Sequence, residues 1–145
     1  MPASKAEQVL EAMKMLLETV PSATVDRNSV PPEKIPGGGL IILRDGDPGE
    51  PEQALGGFGN AYYQHVVEIE VYVEEGDAAA RDAAFDDLLQ QMGAAFEADP
   101  TLGGLAFGLT YGRPEPSIEA VAGAPAIKSA TMTVTVDYEA DAPLS

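Results

Sequence analysis

A chain of 145 residues, 45% of them hydrophobic, suits one domain able to bury about two thirds of the surface its unfolded form exposes. The net charge is −16, from 24 acidic and 8 basic residues, and the basic ones (Lys5, Lys14, Arg27, Lys34, Arg44, Arg81, Arg113, Lys128) are scattered singly. Phosphate contacts need clustered Lys or Arg, so sequence-specific nucleic-acid binding is excluded, while the absence of cysteine excludes a disulfide framework or a thiolate metal site.

No apolar run approaches the roughly 20 residues a membrane span needs. The opening MPASKAEQVLEAMK has no basic stretch followed by an apolar core, so no secretory signal is expected. The acidity reads as a solubility device, or as a surface that must repel a polyanion.

Ser4 to Glu7 reads as a capping box that opens a first helix. Ala6, Val9, Leu10, Met13, Leu16, Leu17 and Val20 then recur at helical spacing, and Pro21 ends the run. Residues 24–28, TVDRN, read as a short strand. Residues 29–39 hold three prolines and three glycines and read as a turn; no phosphate-binding glycine pattern is present. Residues 40–44, LIILR, form a compact apolar strand.

Residues 45–60, DGDPGEPEQALGGFGN, read as a long acidic loop that orders on assembly. Asp45, Asp47, Glu50 and Glu52 suggest calcium at first sight. Counted from Asp45, however, an EF-hand pattern fails at its fifth, sixth and twelfth positions, which are Gly49, Glu50 and Gly56. No metal site is expected.

Residues 62–75, YYQHVVEIEVYVEE, are the most informative run. His65, Val67, Ile69, Val71 and Val73 fall on one face; Gln64, Glu68, Glu70, Tyr72 and Glu74 fall on the other. That alternation predicts a long antiparallel strand with one wet side. Asp77 then caps a second helix whose Arg81, Phe85, Leu88, Leu89, Met92 and Phe96 face inward. Asp82, Asp86 and Asp87 read as its solvated face rather than as a catalytic pair. Residues 105–111 read as a strand, 112–125 as irregular with one helical turn in SIEAVA, and 126–138 as a closing strand. In that strand Ala130, Met132, Val134, Val136 and Tyr138 point inward, and a short acidic tail follows at 140–145.

The only histidine, His65, lacks a nucleophilic partner, and one histidine cannot build the usual zinc site. It reads as a hydrogen-bonded structural residue. No catalytic, cofactor-binding or metal residue is expected. The elements add up to a two-layer α+β sandwich: an antiparallel sheet of four to five strands, two helices on one face, in the order α-β-β-β-α-β-β.

The long strand YYQHVVEIEVYV, the helix end DPTLGGL at 99–105 and the closing TVTVDYEA resemble tail terminator proteins of long-tailed phages and phage-like gene transfer agents. The similarity covers roughly residues 5 to 140. It implies a structural, non-enzymatic protein that forms a hexameric ring on the tail tube and stops its polymerisation. The implied partners are other copies of the chain, the major tail tube protein and the head–tail connector, with DNA passing through the lumen unbound. The implied location is the cytoplasm during assembly and the head–tail junction afterwards. Asp45, Asp47, Glu50, Glu52, Phe58, Glu68, Glu70 and Tyr72 are the candidate lumen or interface residues. The competing readings are a generic oligomeric interaction domain and a small enzyme using His65.

Overall fold

The computed structural model describes residues 3–53, 60–119 and 125–145. Among these, the chain forms α1 (Lys5–Leu17), β1 (Thr24–Arg27), β2 (Leu40–Asp47), β3 (Glu52–Gln53), β4 (Ala61–Glu74), α2 (Ala78–Ala98), β5 (Gly108–Tyr111), β6 (Glu115–Glu119) and β7 (Ile127–Ala140). The strands make one sheet in the order β1-β2-β4-β7-β5, with β3 adding to β4 and β6 to β7. Helix α1 lies over β1 and β2 and α2 over β4 and β7, which gives the expected two-layer α+β sandwich.

The β4–β7 pair is the spine. It runs in unbroken antiparallel register from Ala61 opposite Ala140 to Glu74 opposite Ile127. Alternation along β4 buries Tyr63, His65, Val67, Ile69, Val71 and Val73 against the helices. Ala130, Met132, Val134, Val136 and Tyr138 do the same from β7. Met13 and Leu17 of α1 and Phe85, Met92 and Phe96 of α2 close the core from above. Each such large apolar side chain contributes about 1.5–3 kcal/mol of burial free energy.

Several elements differ from their sequence expectation. Helix α1 stops at Leu17, three residues early, because Thr19 and Val20 donate their amides to the Leu16 and Leu17 carbonyls in a tighter turn. Its capping box is half made: Ser4 accepts from the Glu7 amide, but the Glu7 carboxylate turns to Arg27. Strand β1 pairs with β2 in parallel, the one parallel pair among the described strands. Residues 105–107 stay outside β5. The segment 115–119 is a strand rather than loop and helical turn; as an edge strand it tolerates Pro116.

The largest correction concerns residues 45–60. Strand β2 runs on through Asp45 and Asp47, and Glu52 and Gln53 pair with Tyr62 and Ala61, so 45–47 and 52–53 belong to the sheet, while 54–59 lie outside the described residues. The Gly-Asp-Pro-Gly composition hid a β-bulge. The β2–β4 register shifts between Arg44 and Asp47, and Gly46 sits there at φ +67°. A Cβ at Gly46 would stand 2.0 Å from the Val66 carbonyl oxygen, so only glycine fits. Phe58 lies outside the described residues.

Candidate assembly interface

The face of the sheet away from the helices is open and acidic. Cross-strand register places Gln64 beside Asp137, Glu68 beside Thr133, Glu70 beside Thr131 and Tyr62 beside Glu139. Strand β6 extends the same face with Glu115 beside Thr131 and Glu119 beside Ile127. Hydroxyl and carboxylate side chains thus replace the apolar residues that a second packed layer needs. At one end Tyr62 and Phe107 stand exposed with their rings 5.9 Å apart.

Part of this face has a cover that the alternation of β4 could not reveal. Residues 28–39 cross over it as they carry the chain from β1 to the parallel β2. Ile35 packs there on Leu40 and Ile42, with Tyr72 and Ile127 at the margin. The Ile35 amide donates to the Glu74 carboxylate at 3.0 Å, and Arg44 donates to the Ser29 carbonyl at 2.9 Å. Arg44 also meets Glu70 with two hydrogen bonds, and the Tyr72 hydroxyl donates to the same carboxylate at 2.6 Å. The guanidinium holds the Glu70 carboxyl below the usual carboxylate range, and Glu70 in turn raises Arg44. Burial, then the bond to Glu70, pushes Tyr72 up to about 12. Glu70 and Tyr72 are therefore partnered within the chain, while Glu68 is exposed.

Asp45 is engaged within the chain as well. It faces α1, where Arg27 gathers it at 2.9 Å together with Glu7 at 2.6 Å and Glu11 at 3.0 Å. Hydrogen bonds from Arg27 hold the Glu7 and Asp45 carboxyls below their ordinary values, and Glu7 and Asp45 raise Arg27. Asn28, at φ +55°, donates to the Asp45 carboxylate and accepts from its amide. The node ties helix to sheet through charge-assisted bonds.

The same strand end engages His65, only 2% exposed. Its Nε2 donates to the Asp45 carbonyl at 2.6 Å, because a carbonyl only accepts, and its Nδ1 bonds the Tyr138 hydroxyl at 3.1 Å. Burial raises Tyr138. Both ring nitrogens of His65 are thus engaged inside the core.

The remaining candidates form an exposed acidic strip where β2 gives way to β3. The Asp47 carboxylate accepts from the Gly49 amide, Glu50 rims a cleft of about 230 Å³ beside Tyr63, and Glu52 projects from β3. On α2, Asp82 pairs with Lys128 at 3.0 Å, and Asp86 and Asp87 accept from Gln90 and Gln91, as a solvated helix face does. Among the described residues no group of three or more acidic or histidine side chains gathers as a metal site, and no helix is long and apolar enough to cross a membrane.

A feature that spacing could not show lies on the free flank of α2. Leu89, Met92, Gly93 and Phe96 face Tyr111, Pro114 and Met132 across an apolar groove of about 200 Å³, with Arg113 on its rim. Phe96 and Tyr111 pack with their rings tilted at 50° and their centres 4.9 Å apart. Only the fold brings Gly93 and the segment 111–114 together.

Among solved structures, a chain of one described as "Virion of native gene transfer agent (GTA) particle" is similar over 92% of this chain and 92% of that chain, at 17% identity and a TM-score of 0.34. No protein-family profile and no curated protein matches the sequence.

Proposed function

We propose that this chain is a non-enzymatic structural protein of a phage-type or gene-transfer-agent tail: a tail terminator whose copies close into a ring. Six copies surround the channel, as the sequence resemblance implies. The ring caps the tail tube, stops its growth and presents its other side to the head connector. The observation that carries the reading is the acidic part of the sheet face that the 28–39 crossover leaves open, over β4, β7 and the β5–β6 edge. Unpaired sheet edges invite a neighbour, and identical neighbours repeated by rotation close into a ring. Acidic side chains turned to the lumen repel the DNA backbone and let it slide without adhering.

The basic residues support this in a second way. Arg27, Arg44 and Lys128 are neutralised by internal ion pairs and Arg81 is buried, so the acidic strip is left without compensation from them. A ring built with Asp47→Asn, Glu50→Gln, Glu52→Gln and Glu68→Gln should assemble normally, because none of these side chains holds an ion pair among the described residues. DNA delivery by particles carrying it should fall by about tenfold or more, as DNA adheres to the neutralised channel. Delivery equal to that of the parent particle would sink the lumen assignment.

A further inference from the structure

Taking the assembly reading above as given, we infer that the apolar groove beside α2 receives the Leu144 side chain of a second copy of this chain. The groove is concave and apolar. Its floor is Leu89, Met92 and Phe96, and Gly93, lacking a side chain, leaves it open: a Cβ there meets nothing within 4 Å. Its volume of about 200 Å³ accommodates one aliphatic side chain and the backbone that carries it.

Leu144 is the natural knob. It is 93% exposed, more than any other large hydrophobic side chain among the described residues. It is also held out rather than dangling. The Ser145 amide donates to the Ala142 carbonyl, Ser145 Oγ accepts from the Ala142 amide at 2.9 Å, and the Lys5 amide donates to the Ser145 carbonyl at 3.1 Å. A side chain presented on a closed turn loses little freedom on docking, which favours binding.

Charge agrees with this choice. Arg113 on the groove rim is exposed and stands outside every ion pair among the described residues. Asp141 lies three residues before Leu144 on the presented turn and is likewise exposed. Seating the leucine places the carboxylate where it can reach the rim guanidinium. Val30, the next most exposed apolar side chain, sits instead among prolines, and among the described residues no closing turn like that of 142–145 presents it.

The geometry also fixes the kind of assembly. The turn is tied to the start of α1, whereas the groove lies along α2 and the β5–β6 edge, and no residue of the turn lines it. One copy's turn in the next copy's groove is a head-to-tail contact, which repeats until it closes as a ring or continues as a filament.

Because the chain has no cysteine, the contact can be tested by cross-linking. Chains bearing Gly93→Cys and Leu144→Cys are mixed and oxidised, with Val30→Cys as the control partner. A disulfide needs Cβ atoms about 4 Å apart, so the Leu144→Cys mixture should give linked dimers at least tenfold above the control. The charge arm uses the full chain: Arg113→Asp and Asp141→Arg should each lower the association constant by about tenfold, and the double reversal should restore it. Rings that form without the disulfide overturn the groove contact and leave the ring reading standing. Disulfide-linked chains that extend as filaments support the contact and overturn the ring. Monomers with no cross-link at high concentration overturn both.

Discussion

Gly46→Ala is expected to lower the unfolding free energy by about 3 kcal/mol, measured by urea denaturation at neutral pH. Part of the loss is conformational. Gly46 holds φ +67°, where an L side chain costs about 1–2 kcal/mol. The larger part is steric: a Cβ there would stand 2.0 Å from the Val66 carbonyl oxygen, a backbone atom fixed in the β2–β4 ladder. Relief requires the bulge to move, and the bulge sets the Asp45 carbonyl against His65 Nε2. A buried ring nitrogen then loses its partner. Gly93→Ala is the internal control. It lies inside α2 with open space around it, so alanine should stabilise by about 1 kcal/mol through helix propensity. Equal small effects at both positions would show that the bulge is not a constraint.

Arg27→Ala is expected to cost about 2 kcal/mol at neutral pH, a figure already reduced for the partial exposure of its three acidic partners. Arg27 itself is only 17% exposed and is the cation joining α1, β1 and β2. The cost should shrink in acid. Glu7 and Asp45 have folded pKa values below their ordinary 4.5 and 3.8. Their contribution is complete above those ordinary values and is lost as pH falls through the depressed folded ones. The parent should therefore lose stability below about pH 4.5 more steeply than the variant, and the two curves should converge. Comparing the two cancels the general relief of repulsion that acid brings to a chain of net charge −16. A gap that stays constant to pH 2 would mean that Arg27 acts through its packing, not through these carboxylates. Arg27→Lys should recover only part of the loss, since a lysine cannot form the two-pronged bond to Glu7.

These two residues also mark what was legible in the sequence. The spine was: the alternation from His65 to Val73 and from Ala130 to Tyr138 has a period of 2 that depends on no distant partner. Helix α2 was legible for the same reason, with its Asp77 cap accepting from the Ala80 amide. Asp45 was not. Its neighbours Gly46, Asp47, Pro48 and Gly49 all favour turns locally, and only pairing with Val66 across the sheet makes them a bulged strand end. Pro116 misled in the same way, because its missing amide matters little on an edge.

The outer face was half legible. Its polarity followed from Glu68, Glu70 and Glu74, but the crossover that buries Leu40 and Ile42 on that side depends on the parallel placement of β1, which no local pattern encodes. Arg27 and Arg44 looked like isolated charges because their acidic partners lie at least 16 residues away. The groove was invisible altogether, since α2 and the segment 111–114 meet only in three dimensions.

The central claim is that copies of this chain end a tail tube. The most direct measurement is electron microscopy of tubes polymerised from the tail tube protein with and without the chain. The account predicts that the chain arrests growth and leaves one closed ring, near six times 15.1 kDa, on a single end of each tube. Tubes that grow to the same lengths with bare ends in its presence would contradict it.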